Sequence, residues 1–137
     1  MKKIVLVVLL VALAASLVGQ QAEFKIGASL GHTIDNKNQF ANWDLNIVTN
    51  YDQLIVTMGV LTDERVNGWG RRFGIGANIT SDISILGTWS VVDKLPISSH
   101  NSYGIDVSHR IFDNIHLSLG VETKRGIRVS IRYLKTK

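Results

Sequence analysis

Between Tyr103 and Tyr133 the chain alternates apolar and polar residues through three consecutive segments, and few folds accommodate that pattern. Tyr103, Ile105, Val107, His109 and Ile111 interleave with Gly104, Asp106, Ser108 and Arg110. After an Asp113-Asn114 corner, Ile115, Leu117, Leu119 and Val121 interleave with His116, Ser118, Gly120 and Glu122. Beyond Thr123 to Gly126, Ile127, Val129, Ile131 and Tyr133 interleave with Arg128, Ser130 and Arg132. Side chains of a strand point to opposite faces with period 2, so each segment has one aliphatic face and one of small and charged residues. Three such strands in succession form one wall of a barrel or sandwich.

The preceding chain extends the pattern. We expect strands at Phe24–Leu30, Trp43–Thr49, Leu54–Leu61, Phe73–Ile79 and Ile83–Val91, making eight in all. His32 to Asn38, Thr62 to Arg72 (with its Asn67-Gly68 turn pair) and Val92 to Ser102 read as long connections. Asn50 to Gln53, Thr80 to Asp82 and Asp113-Asn114 read as short turns. Alternation of short turns with longer loops is the construction of a barrel that crosses a membrane.

Upstream, Lys2-Lys3 precede an uncharged run from Ile4 to Val18, followed by Gly19-Gln20-Gln21-Ala22. A basic start, a short apolar run and small residues beyond it form a secretory signal peptide, with cleavage expected after Gly19 or Ala22. Residues 1–22 are therefore expected to be a leader and 23–137 the barrel domain. Without Lys2 and Lys3 the chain has 13 basic and 11 acidic residues, a balance that does not point to nucleic acid. The absence of cysteine excludes disulfides and thiolate chemistry.

Two features favour a membrane barrel over a soluble one. The polar face is dominated by small residues, among them Gly27, Ser29, Thr57, Gly59, Gly74, Gly76, Ser84, Ser108, Ser118 and Ser130. Such residues fit the narrow lumen of eight strands, where water-facing Lys and Glu would be expected on a soluble barrel. The scattered Lys25, Asp44, Asp106, Arg110, Glu122, Arg128 and Arg132 would lie inside, where buried charges need partners. We expect Asp106, Arg110, Glu122, Arg128 and Arg132 to form a lumen charge network that closes the pore. The aromatic residues also fall into two groups. Phe24, Tyr51, Phe112 and Tyr133 lie at the short-turn ends; Trp43, Trp69, Phe73, Trp89 and Tyr103 lie at the long-loop ends, with Phe40 near them. Aromatic girdles at both interfaces are expected of transmembrane barrels.

On these features the chain resembles the small eight-stranded outer-membrane proteins, such as the OmpA transmembrane domain and the OmpX/Ail-type barrels. The resemblance covers nearly all of residues 23–137 and is one of pattern. It implies an all-β, closed antiparallel up-and-down barrel in the outer membrane of a Gram-negative bacterium, reached by the secretory pathway and monomeric. Such proteins usually end on an aromatic residue; here Leu134-Lys135-Thr136-Lys137 follow Tyr133.

Candidate chemistry is sparse. His116, Ser118 and Glu122 are the one hydrolase-like combination, similar to the His-x-Ser of PagL-type lipid A deacylases. In that family the acid lies on the following strand, where this chain has Arg128, Ser130 and Arg132, and parity points His116 and Ser118 into the lumen. No two histidines have metal-site spacing, so neither metal nor cofactor is expected. Arg65, Arg71, Arg72, Lys94, Lys124 and Arg125 are expected in the loops, where guanidinium groups suit lipopolysaccharide phosphates or a protein partner.

The sequence therefore predicts a barrel without catalytic activity that meets membrane lipid with its wall and presents charged loops for surface interaction, adhesion or protection. The alternatives are a deacylase-like barrel and a secreted, lipocalin-like barrel whose aliphatic face would point inward around an apolar ligand.

Overall fold

The structure is a computed structural model that describes residues 23–35, 40–63, 67–92 and 101–136. The expected leader, and loop residues Arg65 and Lys94, lie outside them. Eight strands are present: β1 (Phe24–Asp35), β2 (Phe40–Tyr51), β3 (Leu54–Asp63), β4 (Gly68–Asn78), β5 (Ile83–Val91), β6 (Asn101–Phe112), β7 (Ile115–Glu122) and β8 (Gly126–Thr136). Each pairs antiparallel with its sequence neighbour, and β8 closes on β1. Closure leaves no edge strand with unpaired backbone groups.

The register defines the geometry. Moving from Lys25 across successive partners Asn50, Ile55, Gly76, Leu86, Asp106, Gly120 and Arg128 returns to β1 at Thr33, eight residues above the start. Eight strands with a shear of eight tilt by about 36° and leave an interior filled by layers of four side chains from alternate strands. A lumen of this size is a packed core.

What fills that core is inverted relative to a water-soluble protein. Among the described residues, twenty-eight large hydrophobic side chains are exposed, including Leu45, Ile47, Ile105, Leu119, Val121 and Ile131, while seven large apolar side chains are buried. The buried set is otherwise polar, with Asp44, Asp106, Glu122, Arg72, Arg128 and Arg132 each at most 6% exposed. The aliphatic face thus points outward on every strand, the opposite of what a lipocalin-like ligand cavity requires. A few apolar residues do turn inward. Val48, Ile55, Leu86 and Leu134 cluster toward the short-turn end, and Leu61 meets Val92 toward the other.

Several strands run further than the sequence predicts. Residues 31–35 continue β1, and Thr33 pairs with both Asn42 and Arg128. Thr62 to Arg72 is mostly strand, with Asn67 in the left-handed region at φ 45° ahead of Gly68. Polarity reads as loop when the interior is assumed apolar. Here Thr33, Asn42 and Asp63 are buried in a polar lumen, so the same residues continue the ladder.

The seam between β1 and β8 provides a direct test of closure. Leu30 and Ile131 are register partners on the outer face, and the chain has no other cysteine to interfere. A Leu30→Cys/Ile131→Cys variant should oxidise readily to an intramolecular disulfide on a non-reducing gel. The pair Leu30→Cys/Tyr133→Cys, displaced two residues, should oxidise far more slowly.

Candidate functional site in the barrel lumen

The upper half of the lumen holds a continuous ion network. Arg128 on β8 reaches Asp44 on β2 with both Nε (2.8 Å) and Nη2 (2.6 Å), and Asp106 on β6 with Nη1 (2.5 Å). Its Nη1 also donates to Ser130 at 3.0 Å. Arg72 on β4 pairs with Glu122 on β7 and lies 3.5 Å from Asp106. Arg125, in the β7–β8 connection, folds back over the lumen to Asp63 at 3.3 Å and Glu122 at 3.9 Å. Asn46 donates to Asp44 at 2.6 Å and to Ser29 at 3.3 Å. Charges removed from water lose several kcal/mol of solvation each, which only close pairing and further hydrogen bonds recover. A bidentate guanidinium–carboxylate contact is the geometry that does so best.

Glycines make room for these side chains. The register sets Asp44, Arg72, Gly104 and Arg128 at one height, with Gly31, Gly59, Thr88 and Gly120 in the layer below. A Cβ on Gly31 would collide with the Arg128 guanidinium and the Asp44 carboxylate; one on Gly120 would collide with Asp106. Small residues on the polar face are thus the complement of large charged ones.

Of the residues expected in the network, Asp106, Glu122 and Arg128 are joined directly or through Arg72. Arg132 is buried but stands lower, with Ser84 Oγ at 3.4 Å as its hydrogen-bond partner. Arg110 is elsewhere. It sits beside a register shift at the end of β6, where water reaches it, and pairs with Asp82 at 2.6 Å. Two loop candidates need correction: Arg72 and Arg125 are each 2% exposed and point into the lumen. Arg72 follows Arg71 on a strand, so one of the pair must face inward. Arg71 is exposed on the outer face, and Lys124 is exposed in the turn at φ 62°.

The hydrolase-like trio is not assembled. Ser118 Oγ lies 2.7 Å from Ser108 Oγ, Glu122 is held by Arg72, and His116 lies near the short-turn mouth. Among the described residues, no group of three His, Cys, Asp or Glu is placed to hold a metal ion.

The aromatic side chains that the structure describes, which exclude that of Phe40, lie on the outside at two heights. Phe24 faces Tyr51, and Phe112 faces Ile115 beside Tyr133. At the other end Phe73 stacks on Trp89 at 5.7 Å, Tyr103 is the register partner of Trp89, and Trp69 is exposed nearby. Trp43 packs on His32 at 4.2 Å, which belongs to β1. From Tyr51 to Trp43 along β2 the rise is about 21 Å at strand spacing and this tilt.

Closed, antiparallel, eight-stranded and up-and-down, the molecule shares its fold with designed proteins of known structure. One, from work described as the de novo design of transmembrane β-barrels, aligns over 85% of this chain and 98% of its own with a TM-score of 0.55 and 12% identity. A second, the solution structure of the designed barrel TMB2.3, aligns over 84% and 97% with a TM-score of 0.59 and 12% identity. No protein-family model and no curated protein sequence matches the chain.

Removing one member of the network should leave its partners charged and unpaired. Arg128→Met is expected to cost about 3–5 kcal/mol in reversible denaturant unfolding from detergent or lipid. Adding Asp44→Asn should restore part of that loss, whereas Ser130→Ala should cost about 1 kcal/mol or less.

Proposed function

We propose that this chain is a membrane-embedded barrel of the outer membrane, without catalytic activity, that presents its long-connection end for surface interaction. The observation that carries the reading is the outward aliphatic belt, bounded above and below by aromatic bands, around a lumen of paired ions. In water such a continuous apolar surface would drive association; in a bilayer it is the solvated face. The separation of about 21 Å between bands is close to the roughly 25 Å apolar height of transmembrane barrels. The designed neighbour from the work described as the de novo design of transmembrane β-barrels supports the same environment.

The filled lumen argues for a scaffold in place of a conduit, since the Arg72, Arg125 and Arg128 ion pairs and the Leu61–Val92 contact occupy its section. The dispersed His116, Ser118 and Glu122 leave no nucleophile beside a base. Interaction then falls to the long-connection rim. There Arg71 stands outside, between Trp69 and Phe73 and level with the upper aromatic band, suited to lipid or lipopolysaccharide phosphate. Lys124 projects from the β7–β8 turn; in the sequence Arg65 falls between β3 and β4, and Lys94 between β5 and β6. A protein partner would meet the same rim.

The membrane reading predicts a folded band that migrates faster than the boiled one in SDS gels, and co-flotation with lipid vesicles. Leu119→Arg, on the exposed mid-belt, should cost about 2–4 kcal/mol in a bilayer. Recovery of the wild-type protein as a soluble, unshifted monomer would overturn the assignment. In planar bilayers the wild-type barrel should carry negligible current, and steady single-channel steps would exclude the closed-lumen role.

A further inference from the structure

One outward side chain breaks the aliphatic wall. His109 on β6 is exposed on the face it shares with Val107 and Ile111. Its register partners are Ile83 on β5 and Leu117 on β7, both exposed on the same face. Among the described residues it is the one ionisable side chain on the belt between the aromatic bands. His32 and Arg71 stand within the upper band, and Lys135 lies beyond Tyr133 at the lower. Along the axis His109 is about 16 Å from Tyr103 at strand spacing and tilt, and it precedes Phe112 by less than one turn of the alternation. It therefore lies inside the belt, nearer its short-turn edge.

Nothing around it is placed to share a charge. The neighbouring outer-face positions are Ile83 and Ile85 on β5, Val107 and Ile111 on β6, and Leu117 and Leu119 on β7. Arg110, Asp113 and His116 line the cavity on the inner side of the wall, and Asp82 is paired with Arg110 at 2.6 Å. Histidine is the side chain whose charge ordinarily changes between pH 8 and pH 5. A neutral imidazole is tolerated against acyl chains at modest cost; an imidazolium there is a cation on the lipid face with no carboxylate beside it. The cost of a cation on that face is greatest at mid-bilayer and falls toward either interface, so at His109 it is intermediate.

We propose that His109 is an acid-sensitive point in the lipid-facing wall, whose protonation weakens the hold of the folded barrel on the bilayer. The environment fixes the sign. The neutral side chain is the one compatible with lipid, so its contribution is fully present at pH 8 and is lost as the pH falls through the imidazole range. The inference rests on the membrane reading above and adds to it the condition under which insertion loosens.

The test is reversible denaturant unfolding from phosphatidylcholine vesicles at pH 8 and pH 5, followed by tryptophan fluorescence, for the wild type and His109→Gln. A zwitterionic lipid offers no net headgroup charge to hold the cation. The difference between the two proteins cancels whatever His32, His100, His116 and the carboxylates contribute. The folding equilibrium constant of the wild type should fall roughly fivefold more than that of the variant over this interval. Should His109→Gln fold poorly, His109→Leu gives the same comparison, since it too cannot titrate. Equal pH dependence in the wild type and either folded variant would overturn the proposal and leave the membrane reading intact. A wild type that gains stability in acid relative to the variant would do the same. Failure of every one of these proteins to co-float with the vesicles at pH 8 would overturn both.

Discussion

The arrangement depends on a single guanidinium held between two carboxylates. Arg128 takes Asp44 with two nitrogens and Asp106 with the third, which ties β8 to β2 and β6 across the lumen. Arg72 adds β4 and β7 through Glu122. Hydrogen bonds around the barrel wall join only neighbouring strands. These ionic contacts are what connect distant strands, and they act in a narrow, water-poor space where their strength and the penalty for breaking them are both large. An eight-strand barrel with an apolar exterior has little hydrophobic core to define its cross-section. In its place it has a set of charges with few satisfactory arrangements.

The wall and the filling constrain each other. A shear of eight gives a narrow interior, so long arginine side chains fit only where neighbouring positions lack a Cβ. Gly31 and Gly120 provide that room beside Arg128, Asp44 and Asp106. The outer face meanwhile is free to be uniformly aliphatic, because nothing on that side must interlock. Strand propensity and the requirements of an apolar solvent coincide there, in Val, Ile and Leu.

That division explains what could be read from the chain. Periodicity of 2 is intrinsic to a strand, so the strands and the inward facing of Asp106, Glu122, Arg128 and Arg132 follow from parity, while their antiparallel order follows from the short turns that alternate with long connections. Strand ends were less legible. Thr33, Asn42 and Asp63 carry the composition of loops, yet they face a polar lumen and remain in the ladder. Arg72 and Arg125 were hidden for a related reason: one follows another arginine, and the other lies in the turn after β7. Parity within β4 would have turned Arg72 inward had the strand been started at Gly68. Arg125 gives no such signal, since its burial depends on the chain folding back over Asp63 and Glu122. Pairing across the lumen is a three-dimensional property, and the separation of Asp44 from Arg128 by most of the barrel sequence leaves no local trace.

The two ends of the lumen have opposite characters, and this follows from how charge is distributed along the axis. Toward the long connections, buried carboxylates and guanidiniums are paired with one another. Toward the short turns the filling changes to Val48, Ile55, Leu86 and Leu134, with Arg132 alone among them. Aliphatic side chains cannot solvate that cation, and Ser84 supplies a single distant oxygen. The cation is nevertheless useful to the whole, because the described network contains Asp44, Asp63, Asp106 and Glu122 against Arg72, Arg125 and Arg128. Arg132 brings these lumen charges to neutrality from a position where it bonds to none of the carboxylates. Long-range balance and local satisfaction are thus separated by one or two layers of side chains.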